Sequence, residues 1–286
     1  MGPDRIRRFL EMVKFEHTIF ALPFALLAAV LAADGLPSIW KLFWIVIAMA
    51  GARTGAMGAN RLLDADLDAR NPRTRERALP AGLIEPRQAL FLTIASYAVF
   101  IFAAAMLNSL CLHLAPYIVM LLTGYSLAKR YTEYTHYILG LCLALAPVGA
   151  WIAVTGSLAL TPLVLALAVG CWVSGFDLLY ALQDLDFDRA SGLKSIPARI
   201  GIEASLALAR KLHLAMLGAL FFIYLITPAL NLLFFIALVV VAALLHYEHE
   251  LITPSDLSKI DTAFFTVNGY ISIILFIVGF LDILFG

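Results

Sequence analysis

The chain has 286 residues, 62% hydrophobic and 14% charged, and its 20 basic and 20 acidic side chains cancel. An average soluble domain carries about 25% charged residues, so these charges are too few to cover a soluble protein of this length. Soluble single-domain enzymes, nucleic-acid binders and disordered chains are excluded, and the composition predicts an integral membrane protein.

Nine apolar stretches follow in chain order, at 17–34, 38–58, 87–107, 109–128, 135–154, 160–179, 204–226, 229–248 and 262–285. Each is long enough to cross a bilayer as a helix. They are continuously apolar rather than alternating, which argues against a β-barrel. Together they use most of the chain. The predicted fold is therefore all-α: a polytopic membrane protein with a single bundle of about nine transmembrane helices, capped by cytoplasmic loops over an active site. One domain, 1–286, is expected.

Charge sorts the connections. Arg5, Arg7, Arg8 and Lys14 precede the first helix, and Arg61, Arg70, Arg73, Arg75, Arg77 and Arg87 follow the second. Lys129 and Arg130 follow the fourth, Arg189, Lys194, Arg199, Arg210 and Lys211 the sixth, and Lys259 the eighth. Only Lys41 falls on the other side. Lys and Arg mark the cytoplasmic face, so the N-terminus is expected in the cytoplasm and the C-terminus outside an inner or plasma membrane. The first apolar run is long and lacks a small-x-small site, so a cleaved signal peptide is not expected. Cys111, Cys142 and Cys171 lie in spans with no CxxC spacing and read as inert thiols. His113, His136, His213, His246 and His249 show no mutual pattern and read as structural.

Two acidic clusters stand out. Asn60, Asp64 and Asp68 recur every four residues past the second helix and share one helical stripe, with Arg53 on the same stripe deeper in the span. On the sixth helix Asp177, Tyr180, Asp184 and Asp188 share a face. Asp64 and Asp68 correspond to Asp184 and Asp188 at an offset of 120 residues, a weak internal repeat that places both acidic ends on one membrane side. Isolated acids such as Asp66 and Asp186 read as polar helix ends. Four stacked carboxylates repel one another unless a cation binds there. Hard oxygen donors suit Mg²⁺, which takes one or two carboxylates plus substrate phosphates.

The loop Asn71-Pro72-Arg73-Thr74-Arg75-Glu76-Arg77-Ala78-Leu79-Pro80-Ala81-Gly82 adds bases beside these acids, the usual complement to a diphosphate or triphosphate. Four carboxylates and a diphosphate ester total about −7, and two Mg²⁺ leave about −3 for bases to neutralise. Arg53, Arg77, Lys129, Arg130 and Lys14 are available for this. An Arg inside a span is costly unless paired or wet, which favours a functional Arg53. No glycine-rich phosphate loop is present, so nucleoside triphosphate binding is not expected.

At these residues the sequence resembles the UbiA superfamily of intramembrane aromatic prenyltransferases. The first family motif, N-x-x-x-D-x-x-x-D, stands as Asn60, Asp64 and Asp68, followed by an RPLPxG-like element at Arg77-Ala78-Leu79-Pro80-Ala81-Gly82. The second, Y-A-x-x-D-x-x-x-D, stands as Tyr180, Ala181, Asp184 and Asp188, and Lys129-Arg130-Tyr131-Thr132 is similar to the basic element after the fourth helix. Arg61 stands where many members have Asp, and Ala78 replaces a Pro.

The resemblance implies Mg²⁺-dependent transfer of a polyprenyl chain from its diphosphate to an aromatic acid of the 4-hydroxybenzoate type in ubiquinone synthesis, or to a dihydroxynaphthoate in menaquinone synthesis. Two Mg²⁺ would sit on Asp64, Asp68, Asp184 and Asp188 with Asn60. Arg53, Arg77, Lys129 and Arg130, with Lys14, would hold the leaving group or the acceptor, and Tyr180 would face the allylic cation. Membrane lipid is the expected environment, with no nucleic acid and no obligate protein partner. An ion-coupled secondary transporter is the alternative from another class, but transporter acids sit near mid-membrane rather than at helix ends. The glycine-punctuated aspartate motif of CDP-alcohol phosphotransferases is absent.

Overall fold

A computed structural model describes residues 8, 9, 11–13 and 20–286. Lys14, with the neighbouring Phe15, Glu16 and His17, lies outside the described residues. The fold is all-α. In chain order the main helices are α1 (Leu22–Ala33), α2 (Ile39–Leu63), α3 (Ala65–Arg70), α4 (Pro86–Leu107), α5 (Ser109–Gly124), α6 (Thr135–Thr155), α7 (Leu160–Ala181), α8 (Leu185–Ser191), α9 (Ile202–Ile226), α10 (Leu232–Leu251) and α11 (Asn268–Phe285). A π-helical turn, Thr262–Val267, leads into α11.

Among the described residues eight helical segments are long and apolar enough to cross a membrane, and α1 is a shorter apolar helix. The expected first span, 17–34, is thus described over Leu22–Ala33, with Pro23 in its first turn where a missing N–H costs nothing. Asp34 in a left-handed conformation ends it. The second and sixth predicted spans run on past their apolar windows. Helical structure extends to Leu63 in one and, after a short 3-10 turn, to Ser191 in the other. Those overruns carry the acidic motifs.

The chain forms two compact units, residues 1–18 with 43–127 and residues 19–42 with 128–286. In the first, α2 lies against α4 along bare backbone. A Cβ on Gly51 would stand 2.9 Å from the backbone of Phe100, and one on Gly55 2.5 Å from the Tyr97 ring. Small residues are how apolar helices approach closely in lipid, where the hydrophobic effect no longer drives helix pairing. Phe9, Met12 and Val13 pack with Leu79, Ile84 and Ala89 in a separate apolar cluster.

In the second unit α6 and α7 meet at Gly140, whose Cβ would lie 2.6 Å from the Gly170 carbonyl. The Ser174 hydroxyl donates across this seam to the His136 carbonyl at 3.2 Å. Lys41, the lone base of its side in the charge pattern, donates its ammonium to the Val154 carbonyl at the C-terminal end of α6. A cation satisfies orphan carbonyls there.

Asp282 does the converse. It is 1% exposed and accepts the backbone N–H groups of Asn231 and, at 3.1 Å, Phe234, capping α10 from α11. Asp282→Ala is expected to cost about 1–3 kcal/mol, read as a lower thermal midpoint in detergent with helical content unchanged. An unchanged midpoint would show that this cap contributes nothing.

Candidate active site

The first acidic motif sits where α2 gives way to α3. Asp64 leaves helical geometry at φ −97°, ψ 1°, in the bridge region frequented by active-site residues. The i to i+4 bonds nevertheless continue: Asp64 N–H reaches the Asn60 carbonyl at 2.9 Å, and Asp68 N–H the Asp64 carbonyl at 2.8 Å. Asn60, Asp64 and Asp68 therefore keep their stripe across the break. Asp64 is 3% exposed and Asp68 5%. The Asn60 amide donates to Asp64 Oδ2 at 3.2 Å and to Ser126 Oγ at 3.3 Å. Arg53 stays half-buried on α2.

Arg77 grips Asp68 with one guanidinium nitrogen 2.8 and 2.9 Å from the two carboxylate oxygens. The loop that carries Arg77 is built to hold it. Thr74 Oγ1 donates to the Asp68 carbonyl at 3.0 Å, Leu79 is buried in the Phe9–Met12–Val13 cluster, and Gly82 turns the chain at φ 69°. The Leu79 and Gly82 positions of the RPLPxG-like element thus have structural jobs, and Ala78 in place of Pro leaves both intact. Arg61 is one of the bases that follow the second helix and a departure from the family pattern. It proves to be buried, donating to the Met12 carbonyl and to Asn60 Oδ1, each at 3.4 Å, and lying 4.0 Å from Asp68.

The second motif repeats the device. After α7 a 3-10 turn, Leu182–Asp184, ends at Asp184 with φ −101°, ψ 5°, and α8 follows. The central Asp of each motif carries the same backbone break, so the weak sequence repeat is also a repeat of local structure. Asp184 and Asp188 are half-buried, whereas Asp66 and Asp186 are exposed as their bland reading expects. The Ser195 hydroxyl hydrogen-bonds Asp188, and Lys129 lies within electrostatic reach of it. Lys194 ties this corner together, its N–H on the Lys129 carbonyl at 2.8 Å and its ammonium on the Tyr131 carbonyl at 2.9 Å. Arg130 is exposed. The Tyr180 ring lies 4.2 Å from that of Phe264.

Three residues on or beside these motifs escaped the sequence reading. Ser195 had a signal, since Ser followed by Pro197 is a helix-start pattern, and its side chain does cap the next turn. Lys194 had none beyond its charge. His136 holds Asp177 Oδ2 at 2.7 Å across the α6–α7 seam, and His213 Nδ1 meets His249 Nε2 at 3.0 Å. The histidines read as structural from the sequence, and the His213–His249 contact is one that helix packing creates and sequence spacing does not show.

The donor chemistry fits Mg²⁺. Asn60, Asp64 and Asp68 offer hard oxygens, as do Asp184 and Asp188. Among the described residues no three His, Cys, Asp or Glu side chains converge as a ligand cluster. Two carboxylates per motif match an ion that keeps waters and completes its shell with substrate phosphate oxygens. Asp68 retains lone pairs for an ion beside its bonds to Arg77.

An all-α polytopic chain with two acidic helix ends and basic loops has the make-up of a membrane-embedded transferase. Residues 21–273 match the UbiA prenyltransferase family, and the chain belongs to that family. It is 30% identical over 252 residues, 86% of this chain and 85% of the relative, to 4-hydroxybenzoate octaprenyltransferase of Aeromonas hydrophila. Its fold is similar to the apo structure of a UbiA homolog from Aeropyrum pernix K1, with a TM-score of 0.85 and 30% identity over 94% of this chain and 99% of that one. A UbiA homolog from Archaeoglobus fulgidus bound to DMAPP and Mg²⁺ shares the fold at a TM-score of 0.76 and 19% identity, over 96% of this chain and 99% of that one. The chain is accordingly a prenyl-transferring enzyme, and the transporter alternative falls away.

Proposed function

We propose that the chain transfers a polyprenyl group from polyprenyl diphosphate to an aromatic acid of the 4-hydroxybenzoate type in quinone biosynthesis, with residues 1–286 acting as one prenyltransferase domain. The observation that carries this reading is the repeated break at Asp64 and Asp184, each setting an i, i+4 carboxylate pair at a helix end beside bases. The relative's name makes 4-hydroxybenzoate the first acceptor to test.

Two Mg²⁺, held by Asn60, Asp64 and Asp68 and by Asp184 and Asp188, would neutralise the diphosphate and ease its departure. Arg53, Arg77, Lys129, Arg130 and Lys14 hold the leaving group or the acceptor carboxylate. The allylic C–O electron pair leaves with the diphosphate. A ring carbon ortho to the acceptor hydroxyl forms the new C–C bond, and the ring proton passes to the diphosphate. Tyr180 offers its ring face to the cation. The isoprenoid tail extends among apolar helices, which is why the reaction belongs in a membrane. The excess of Lys and Arg in one set of connections supports a cytoplasmic N-terminus.

Membranes carrying the protein, given Mg²⁺, prenyl diphosphates of graded length, and 4-hydroxybenzoate or a dihydroxynaphthoate, should yield a prenylated aromatic product that EDTA suppresses. Product from dihydroxynaphthoate alone would move the acceptor to the menaquinone type. Diphosphate release with no prenylated acceptor from the panel would overturn the reading.

A further inference from the structure

A deeply buried polar cluster lies in the second unit, on residues outside both acidic motifs. Asn268, Glu248 and Trp172 are each 0% exposed. Trp172 Nε1–H donates to Asn268 Oδ1 at 2.6 Å, and Asn268 Nδ2 donates to Glu248 Oε1 at 2.8 Å and to the Ala263 carbonyl at 3.1 Å. An indole N–H can only donate, so the orientation of the Asn268 amide is fixed. His213 stands 3.7 Å from Glu248 and closes the cluster on the α9 side. Intramembrane polar groups of this kind are costly and mark function by default.

Asn268 also ends the π-turn. Its backbone N–H goes to the Phe265 carbonyl, while its side chain serves the Ala263 carbonyl within the turn. A side-chain donor to a carbonyl within the turn holds such a bulge open. The consequence is seen at Phe264 and Phe265. Consecutive side chains on an α-helix diverge by about 100°, yet both rings meet the same partners. Phe264 lies 4.2 Å from Tyr180 and 5.6 Å from Phe20, and Phe265 lies 6.1 and 6.4 Å from them. Phe176 joins Phe264 at 5.1 Å and rests edge-on against Trp172 at 5.0 Å.

We propose that Asn268 is a positioning residue for prenyl transfer: by anchoring the 262–267 π-turn to Trp172 and Glu248, it holds Phe264 and Phe265 with Tyr180 as one aromatic wall that keeps water from the allylic cation. This rests on the prenyl-transfer reading above. In transfer the cation is taken by a ring carbon. In the side reaction a water oxygen forms the new C–O bond, releases a proton, and gives prenyl alcohol. The wall acts on the partition between the two, through cation–π attraction and exclusion of water.

The test is the share of consumed prenyl diphosphate that ends as alcohol rather than as prenylated aromatic acid, measured with Mg²⁺ and saturating acceptor. Asn268→Leu, close in volume but unable to hydrogen-bond, should raise that share about tenfold. Phe264→Leu trims the wall with the polar cluster intact and should do the same, and it decides the matter if Asn268→Leu fails to fold. Asp282→Ala removes the cap at the far end of α11 and should lower yield without changing the share. An alcohol share at the wild-type level in folded Asn268→Leu or in Phe264→Leu would overturn the proposal, even if turnover drops. A wild-type protein that prenylates no aromatic acid would overturn the functional reading, and the positioning role with it.

Discussion

Replacing Asp64 or Asp184 with Asn is expected to lower prenyl transfer by about 10²–10³-fold, the usual scale for losing one electrostatic stabiliser of a developing charge. The substitution keeps volume and backbone preference, since Asn tolerates the bridge-region geometry at these breaks as well as Asp does. What it removes is negative charge. Asp64 is 3% exposed, so removing that charge relieves desolvation, and the thermal midpoint is not expected to fall. The two deficits should respond in part to raised Mg²⁺, because a weakened ligand set still fills at high metal concentration. Asp66→Asn and Asp186→Asn, at the exposed neighbours, should keep ordinary transfer. Undiminished transfer by Asp64→Asn or Asp184→Asn, in membranes whose wild-type activity EDTA abolishes, would sink the metal assignment.

The spans were legible because bilayer thickness sets the length of an apolar run. Hydropathy failed where the acidic motifs begin: α2 continues to Leu63 and the sixth predicted span through Ser191 because backbone hydrogen bonding outlasts apolar side chains. The acidic stripes were legible from helical period alone, and the i to i+4 bonds hold across the first break, at Asp64, while a 3-10 turn closed by Leu185 N–H on the Leu182 carbonyl carries the second. Pairings between elements were not. Arg77 reaches Asp68 through a loop whose course depends on Leu79 and Gly82, and His136 reaches Asp177 because Gly140 lets two helices close. A glycine pattern announces close approach but does not say which side chains it brings together. The π-turn left no trace at all, lying inside one unbroken apolar stretch from 262 to 285.

Arg77→Ala should move two affinities in opposite directions. Both Asp68 oxygens accept from Arg77, so the guanidinium offsets the same negative charge that a metal ion there would draw on. Removing the guanidinium should tighten Mg²⁺ binding measured without diphosphate by several-fold. It should weaken binding of a prenyl diphosphate by about 10–100-fold, the scale of a lost charge-assisted hydrogen bond. The fold should survive, because Arg61 remains 4.0 Å from Asp68 and the Arg77 side chain is already 28% exposed. Arg77→Lys keeps the charge but loses the planar fork, so both affinities should fall between wild type and Ala. Titration calorimetry in detergent, with Mg²⁺ alone and then with a non-hydrolysable prenyl diphosphate analogue, separates the two effects. If Mg²⁺ and diphosphate affinity drop together, Arg77 organises the motif rather than competing for it. If neither changes, the Arg77–Asp68 pair is a structural contact with no part in binding.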